Sequence, residues 1–205
     1  MKNIFITGIS TEVGKTLISA IVTEALKADY WKPIQAGELD YSDTHKVKEM
    51  ISNNTTVFHK NSYALETPMS PHAAAEIDGI EINLKNIATP ITENNLVIEG
   101  AGGLLVPLNN SSTILDIIKP EYKVIVVSRH YLGSINHSLL TINLLQSKGF
   151  EVAVIFSGNE NKSTENIIEK MTGVSIIGRV EEEKNITKET ILKYANLFRN
   201  DLTNL

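Results

Sequence analysis

The chain has 205 residues, enough at about 150 per domain for one core, and its 42% apolar and 21% charged residues exclude disordered and collagen-like classes. With 19 basic and 24 acidic side chains the formal charge is −5, too acidic for a broad phosphate-tracking nucleic-acid surface. Cysteine is absent, which excludes disulfides, thiolate zinc sites and a cysteine nucleophile.

No run approaches the roughly 18 apolar residues of a membrane span, and the opening MKNIFITG is too short in its apolar stretch for a secretory signal. One domain over residues 1–205 is therefore expected, cytoplasmic and without nucleic-acid or membrane partners.

The first predicted strand, Asn3 to Thr7, runs into Gly8-Ile9-Ser10-Thr11-Glu12-Val13-Gly14-Lys15-Thr16 and then a helical pattern over Lys15–Ala28. Strand, glycine-containing turn and helix in that order make a phosphate-binding loop. Small residues let backbone N–H groups turn inward around phosphate oxygens, a lysine reaches the β and γ phosphates, and a hydroxyl serves Mg²⁺. Gly14, Lys15 and Thr16 supply those parts. The loop is a variant, because Ile9 stands where the common form has its first glycine and Gly8 precedes it.

The second strand, Tyr30 to Ile34, carries Lys32, followed by Pro33-Ile34-Gln35-Ala36-Gly37. Ligands of open parallel sheets lie beyond the carboxyl ends of the strands, so Lys32 would emerge beside the phosphate loop. Two lysines at one phosphate suit a transition state that gathers negative charge on a transferring phosphoryl group. A solvated lysine before a turn is the alternative.

Ser42-Asp43 opens a helical pattern over Thr44–Ile51, an arrangement that is also an ordinary helix start. Residues 53–94 are the least regular, with Pro68, Pro71 and Pro90 around a short helix candidate at His72–Glu76, as binding insertions often are. The strand Leu96 to Glu99 ends on an acid followed by Gly100-Ala101-Gly102-Gly103. A carboxylate there needs a cation or donors, and Mg²⁺ held among Thr16, Asp43 and Glu99 would provide one. A capping or salt-bridge role is the alternative.

Strands follow at Lys123–Ser128, Val152–Phe156 and Val174–Ile177, alternating with helical patterns at Ser134–Ser147, Thr164–Met171 and Lys188–Phe198. The alternation predicts an α/β doubly wound fold with a mostly parallel sheet, in the manner of P-loop NTPases.

GISTEVGKT, WKPIQAG, SD, ETPMSPHAAA, VIEGAGGLLVPL and LGSINHSLLT occur here in the order seen in dethiobiotin synthetases, which this chain resembles from residue 2 to about residue 160. The resemblance implies a homodimeric ligase that uses Mg-ATP and CO₂ to close the ureido ring on 7,8-diaminononanoate. It implies that Glu12, Val13, Gly14, Lys15, Thr16 and Leu17 line the triphosphate, with Gly100, Ala101 and Gly102 nearby, and that Thr16, Asp43 and Glu99 surround Mg²⁺. Lys32 matches the family's catalytic lysine, Lys15 would share its task, and Thr11 and Glu12 match loop residues at the carbamate or an amine. Gly133, Ser134 and Asn136 would bind the substrate's tail carboxylate near the dimer interface, while His137 reads as packed or on the helix surface. Substitution of Lys15 or Lys32 by alanine is then expected to abolish turnover with the fold intact.

Two departures bear on specificity. Ala36 stands where many members have serine, leaving Gln35 or backbone to replace that hydroxyl. The base-recognising asparagine is matched by a displaced Asn159, and Val180-Glu181-Glu182-Glu183 has no proline, so ATP is expected with the base preference open. The rival from another class is a partitioning-type switch ATPase on the same scaffold. A P-loop kinase would need clustered lid arginines, and this chain has only Arg129, Arg179 and Arg199. Amidoligases related to cobyrinate synthesis carry a further domain with a cysteine nucleophile, absent here.

Overall fold

In a computed structural model describing residues 1–205, the short apolar runs become strands of one parallel sheet. In chain order the elements are β1 (Asn3–Gly8), α1 (Lys15–Leu26), β2 (Asp29–Trp31), β3 (Ile34–Ala36), α2 (Asp43–Met50), β4 (Phe58–His59), β5 (Tyr63–Leu65), α3 (Pro71–Ile77), β6 (Leu96–Gly103), β7 (Lys123–Arg129), α4 (Ser134–Ser147), β8 (Glu151–Ser157), α5 (Lys162–Thr172), β9 (Ser175–Val180) and α6 (Lys188–Asn204). The main sheet has seven strands in the order β4-β2-β6-β1-β7-β8-β9, every pair parallel.

Parallel strands require crossovers, and these are right-handed. From β1 the chain moves through α1 to β2 on one side, whereas β7 connects through α4 to β8, and β8 through α5 to β9, in the opposite direction. Opposite directions of travel place α1 and the α4–α5 pair on opposite faces. Helix α1 packs with α2 and α6 as one layer, and α4 packs with α5 as the other. Covered on both faces, Ile4, Phe5 and Ile6 of β1, Val124 to Val127 of β7 and Ala153 to Ile155 of β8 are completely buried. That is why these strands read as continuous apolar runs without alternation.

The predicted second strand is divided. β2 stops at Trp31 because Pro33 has no N–H to give a central ladder. The chain then leaves the main sheet and β3 pairs with β5 in a separate parallel ladder. This break releases Lys32 between the two ladders at the carboxyl edge. β6 instead continues to Gly103, and its pairing with β1 shifts register between Ile6 and Gly8, where β1 turns into the phosphate loop. No helix is long and apolar enough to cross a membrane.

Candidate active site

The carboxyl ends of β1, β2 and β6 meet at a cleft of about 1130 Å³. Its floor is the loop between β1 and α1. A Cβ on Gly8 would stand 2.6 Å from Val13 Cγ2 and 2.8 Å from Ser10 O, so the turn out of β1 accepts no side chain. Gly14 has φ 96°, and a Cβ there would come within 3.0 Å of Ser157 Oγ, which puts the end of β8 against the loop. Glu12 adopts φ 54° without being glycine, a strained conformation of the kind that collects at ligand loops.

Lys15 opens α1 and folds back so that Nζ donates to Ser10 O at 3.0 Å. Burial pushes its ammonium down to about 8; Glu99 and Asp43 oppose the drop and Lys32 adds to it. Only the charged form attracts phosphate, so nucleotide affinity should be level below about pH 8 and weaken above it. At pH 9 the dissociation constant should be about tenfold larger than at pH 7. Calorimetric titration with a non-hydrolysable nucleotide measures this, and a pH-independent constant would remove Lys15 from phosphate binding.

Lys32, 4% exposed, lies between two carboxylates: its Nζ is 2.7 Å from Asp43 Oδ2 and 2.9 Å from Glu99 Oε1. Burial alone would lower its affinity for a proton, but Glu99 and Asp43 outweigh that and raise it, so this lysine stays charged. Asp43 is placed at the start of α2 after Ser42, whose backbone N–H donates to His45 Nδ1 at 3.1 Å. Burial raises the Asp43 carboxyl, yet Lys32, Lys46 and the Thr16 hydroxyl hold it below the usual range. Glu99, 1% exposed at the end of the apolar part of β6, accepts Thr16 Oγ1 and Lys32 Nζ on Oε1, each at 2.9 Å. Its Oε2 accepts the Tyr30 hydroxyl at 2.8 Å. Burial and the facing carboxylate push the Tyr30 phenol well up, so it remains a donor.

A divalent cation fits this arrangement. Thr16, Asp43 and Glu99 are hard oxygen donors, and a positive group, the Lys32 ammonium, already sits between the two carboxylates. Only two of these donors, Asp43 and Glu99, are carboxylates, and no group of three His, Cys, Asp or Glu side chains that could hold a metal is present. Two carboxylates and a hydroxyl are the kind of partial protein shell that suits Mg²⁺, which is usually held by one or two carboxylates with water and substrate phosphates.

Of the residues singled out from sequence, Thr11, Glu12, Gly14, Lys15, Thr16, Lys32, Asp43, Glu99, Ala101 and Gly102 line the cleft. Val13 is buried beneath the loop, Gly100 backs onto Phe5, and Leu17 lines a neighbouring hollow of about 510 Å³ with Lys46 and Thr187. Gly133 and Asn136 are exposed and Ser134 is buried at the start of α4, none of them on the cleft wall, and Asn159 is exposed beyond β8. His137, one turn further along α4, does line the cleft with Leu140, Thr141 and Leu144. Its Nδ1 is 2.8 Å from the Tyr131 hydroxyl. The opposite wall is Pro68 to Pro71 and Leu104 to Pro107, which lie within two of the motifs that carry the family resemblance, although residue type and spacing single out none of them as site residues. Those are ordinary loop residues whose meeting depends on tertiary packing. Gln35, considered as a substitute for the missing serine, lines the cleft beside Ala36, and its Oε1 faces the Asp43 N–H at 3.4 Å.

A family model described as an AAA domain matches residues 2–190. The protein named ATP-dependent dethiobiotin synthetase BioD from Christiangramia forsetii is 60% identical over 202 residues, covering 98% of both chains. Proteins of the same name from Cytophaga hutchinsonii and Chlamydia felis are 48% and 40% identical, over 98% and 96% of this chain and 98% and 94% of theirs. Among solved structures, the MinC:MinD cell division complex of Aquifex aeolicus aligns with a TM-score of 0.59 at 16% identity, covering 100% of this chain and 97% of the other. A ParA family ATPase of Chlorobium tepidum aligns with a TM-score of 0.56 at 14% identity over 100% of both. At such identities these structures speak to the fold alone.

Proposed function

This chain belongs to the ATP-dependent dethiobiotin synthetase family, and from that membership we propose how its cleft carries out the reaction and which residues do so. The activity is the closure of a cyclic urea on 7,8-diaminononanoate with CO₂ at the expense of ATP. The observation that carries the assignment of roles is the meeting of Lys15, Lys32, Asp43 and Glu99 at the ends of three strands.

One amine of the substrate adds to CO₂, forming an N–C bond and releasing a proton, to give a carbamate. A carbamate oxygen attacks the γ-phosphorus and ADP departs, leaving a carbamic-phosphoric anhydride. The second amine then attacks the carbonyl carbon and gives up a proton, the carbon–oxygen bond to phosphate breaks, inorganic phosphate leaves, and the ring closes. The first step builds negative charge on the carbamate oxygens, and the two later steps transfer it to phosphate oxygens. Lys15 and Lys32, both buried, are fixed cations set to stabilise such charge. Thr11 and Glu12 are set to orient the carbamate or an amine. Holding both amines on one surface makes the closure intramolecular. Thr16, Asp43 and Glu99 would hold Mg²⁺, which when bound neutralises charge on the triphosphate.

The cleft's far wall, with Met69, Leu105, Leu140 and Leu144, suits an aliphatic chain. The turn into α4 would meet the tail carboxylate across a homodimer interface, a role supported by the exposed Leu132 and Ile135 beside Gly133 and Ser134. Asn159, displaced from the family's base-recognising asparagine and exposed beyond β8, is the proposed contact to the base. The switch-ATPase alternative rests on fold likeness, and residues 8–10, Gly-Ile-Ser, lack the lysine that opens that class's loop.

Phosphate release from Mg-ATP should depend on diaminononanoate and bicarbonate, with a product of the mass of the cyclic urea. The same assay with GTP and CTP reads the base preference. Phosphate release indifferent to the diamine would favour the switch ATPase instead.

A further inference from the structure

Glu99 is held from two sides by chemically different partners. Oε1 faces the cleft and accepts Thr16 and Lys32, whereas Oε2 points away from it and accepts the Tyr30 hydroxyl at 2.8 Å. Tyr30 is fully buried in β2, one strand across from β6 with Tyr30 opposite Val97, and its ring packs at 5.8 Å from that of Phe58. A phenylalanine would fill that volume. The phenolic oxygen is therefore not required for packing, and in a dry core a hydroxyl is tolerated only with a partner. That partner is the one carboxylate on the cleft side of β6.

The geometric consequence is specific. A glutamate carboxylate turns freely about its last bond, which has broad preferences. A donor fixed in the core on Oε2 removes that freedom and leaves Oε1 as the oxygen presented to the cleft. The neighbouring Trp31 cannot take this part, since its Nε1 donates to Lys60 O.

We propose that Tyr30 is a positioning residue of the ring-closing reaction, acting through Glu99: its buried hydroxyl fixes the carboxylate so that Oε1 alone is offered to the cation and to Lys32. The inference rests on the reading that Glu99 helps to hold Mg²⁺. Outer partners of metal-binding groups commonly matter by about 10–100-fold in metal affinity.

The test is a double-mutant cycle of Tyr30→Phe and Glu99→Gln, read by Mn²⁺ titration of the complex with a non-hydrolysable ATP analogue, followed by electron paramagnetic resonance. Tyr30→Phe should weaken Mn²⁺ about tenfold. It should raise the Mg²⁺ concentration needed for half-maximal turnover while leaving kcat at saturating Mg²⁺ within about twofold, a split that loss of packing would not produce. On the Glu99→Gln background it should have no further effect. Unchanged Mn²⁺ affinity in Tyr30→Phe, with Glu99→Gln weakened, would overturn the positioning role and leave the metal reading standing. Additive losses in the double variant would show that Tyr30 acts other than through Glu99. Unchanged affinity in Glu99→Gln would remove the metal reading itself.

Discussion

Replacing Lys32 with methionine is expected to lower kcat by about 10³-fold and to lower the melting temperature by about 10 °C. The first effect follows from removing a fixed cation at the transferring phosphoryl group, where loss of one electrostatic donor commonly costs about 10²–10³. The second follows from its two ion pairs, at 2.7 and 2.9 Å, with Asp43 and the almost fully buried Glu99. Removing one partner of a buried pair leaves charge uncompensated and costs about 3–5 kcal/mol, which for a chain of this size is some 2–4 °C for each kcal/mol. The sequence alone predicts an intact fold for such a variant, because it does not reveal that Lys32 is the counter-ion of two acids. Single-turnover kinetics with calorimetry checks both effects, and retained turnover would remove Lys32 from the chemistry.

Lys15→Met should behave oppositely in one respect. Its kcat/KM for ATP should fall by at least about 10²-fold, since charge-assisted bonds to phosphate are worth about 1.5–3 kcal/mol each and this lysine also serves the transition state. Yet the nucleotide-free protein should melt a few degrees higher. Lys15 pays a burial penalty that brings its ammonium down to about 8, so at neutral pH the folded protein carries a charge that the unfolded chain accommodates more easily. Relief of that penalty raises stability when the charge is deleted. A pair of lysines in one cleft, one whose loss destabilises and one whose loss stabilises, is a pattern that a melting curve on each variant can refute directly.

Much of this architecture is legible in the residues because the relevant signals are local. The loop from Gly8 to Thr16 lies between an apolar strand and a helix, and the acid at Glu99 ends an otherwise apolar run, so both announce themselves within a dozen residues. The division of the second strand is visible only in retrospect at Pro33. The 3.6 and 2.0 periodicities say nothing about which ladder Ile34 to Ala36 will join. Tyr30 reads as core from sequence, and it is core; its hydroxyl acquires meaning only when β6 is laid beside β2. His137 has the same origin. Its helix is legible in the sequence, but the face turned to the cleft depends on how α4 docks, which residue spacing alone leaves open.

The cleft is lined by three lysines, Lys15, Lys32 and Lys46, against four carboxylates, Glu12, Glu38, Asp43 and Glu99. Several cancel in pairs, Lys46 lying 2.5 Å from Glu38 as Lys32 lies beside Asp43 and Glu99. Seen from beyond a Debye length, about 8 Å at physiological ionic strength, the mouth offers an incoming triphosphate no net positive field, and the whole molecule at −5 mildly repels it. Diffusional encounter with nucleotide is therefore unassisted, and added salt should leave the association rate level or raise it slightly. Recognition in this protein begins at contact distance, when backbone amides of the loop and the two buried ammonium groups come within reach.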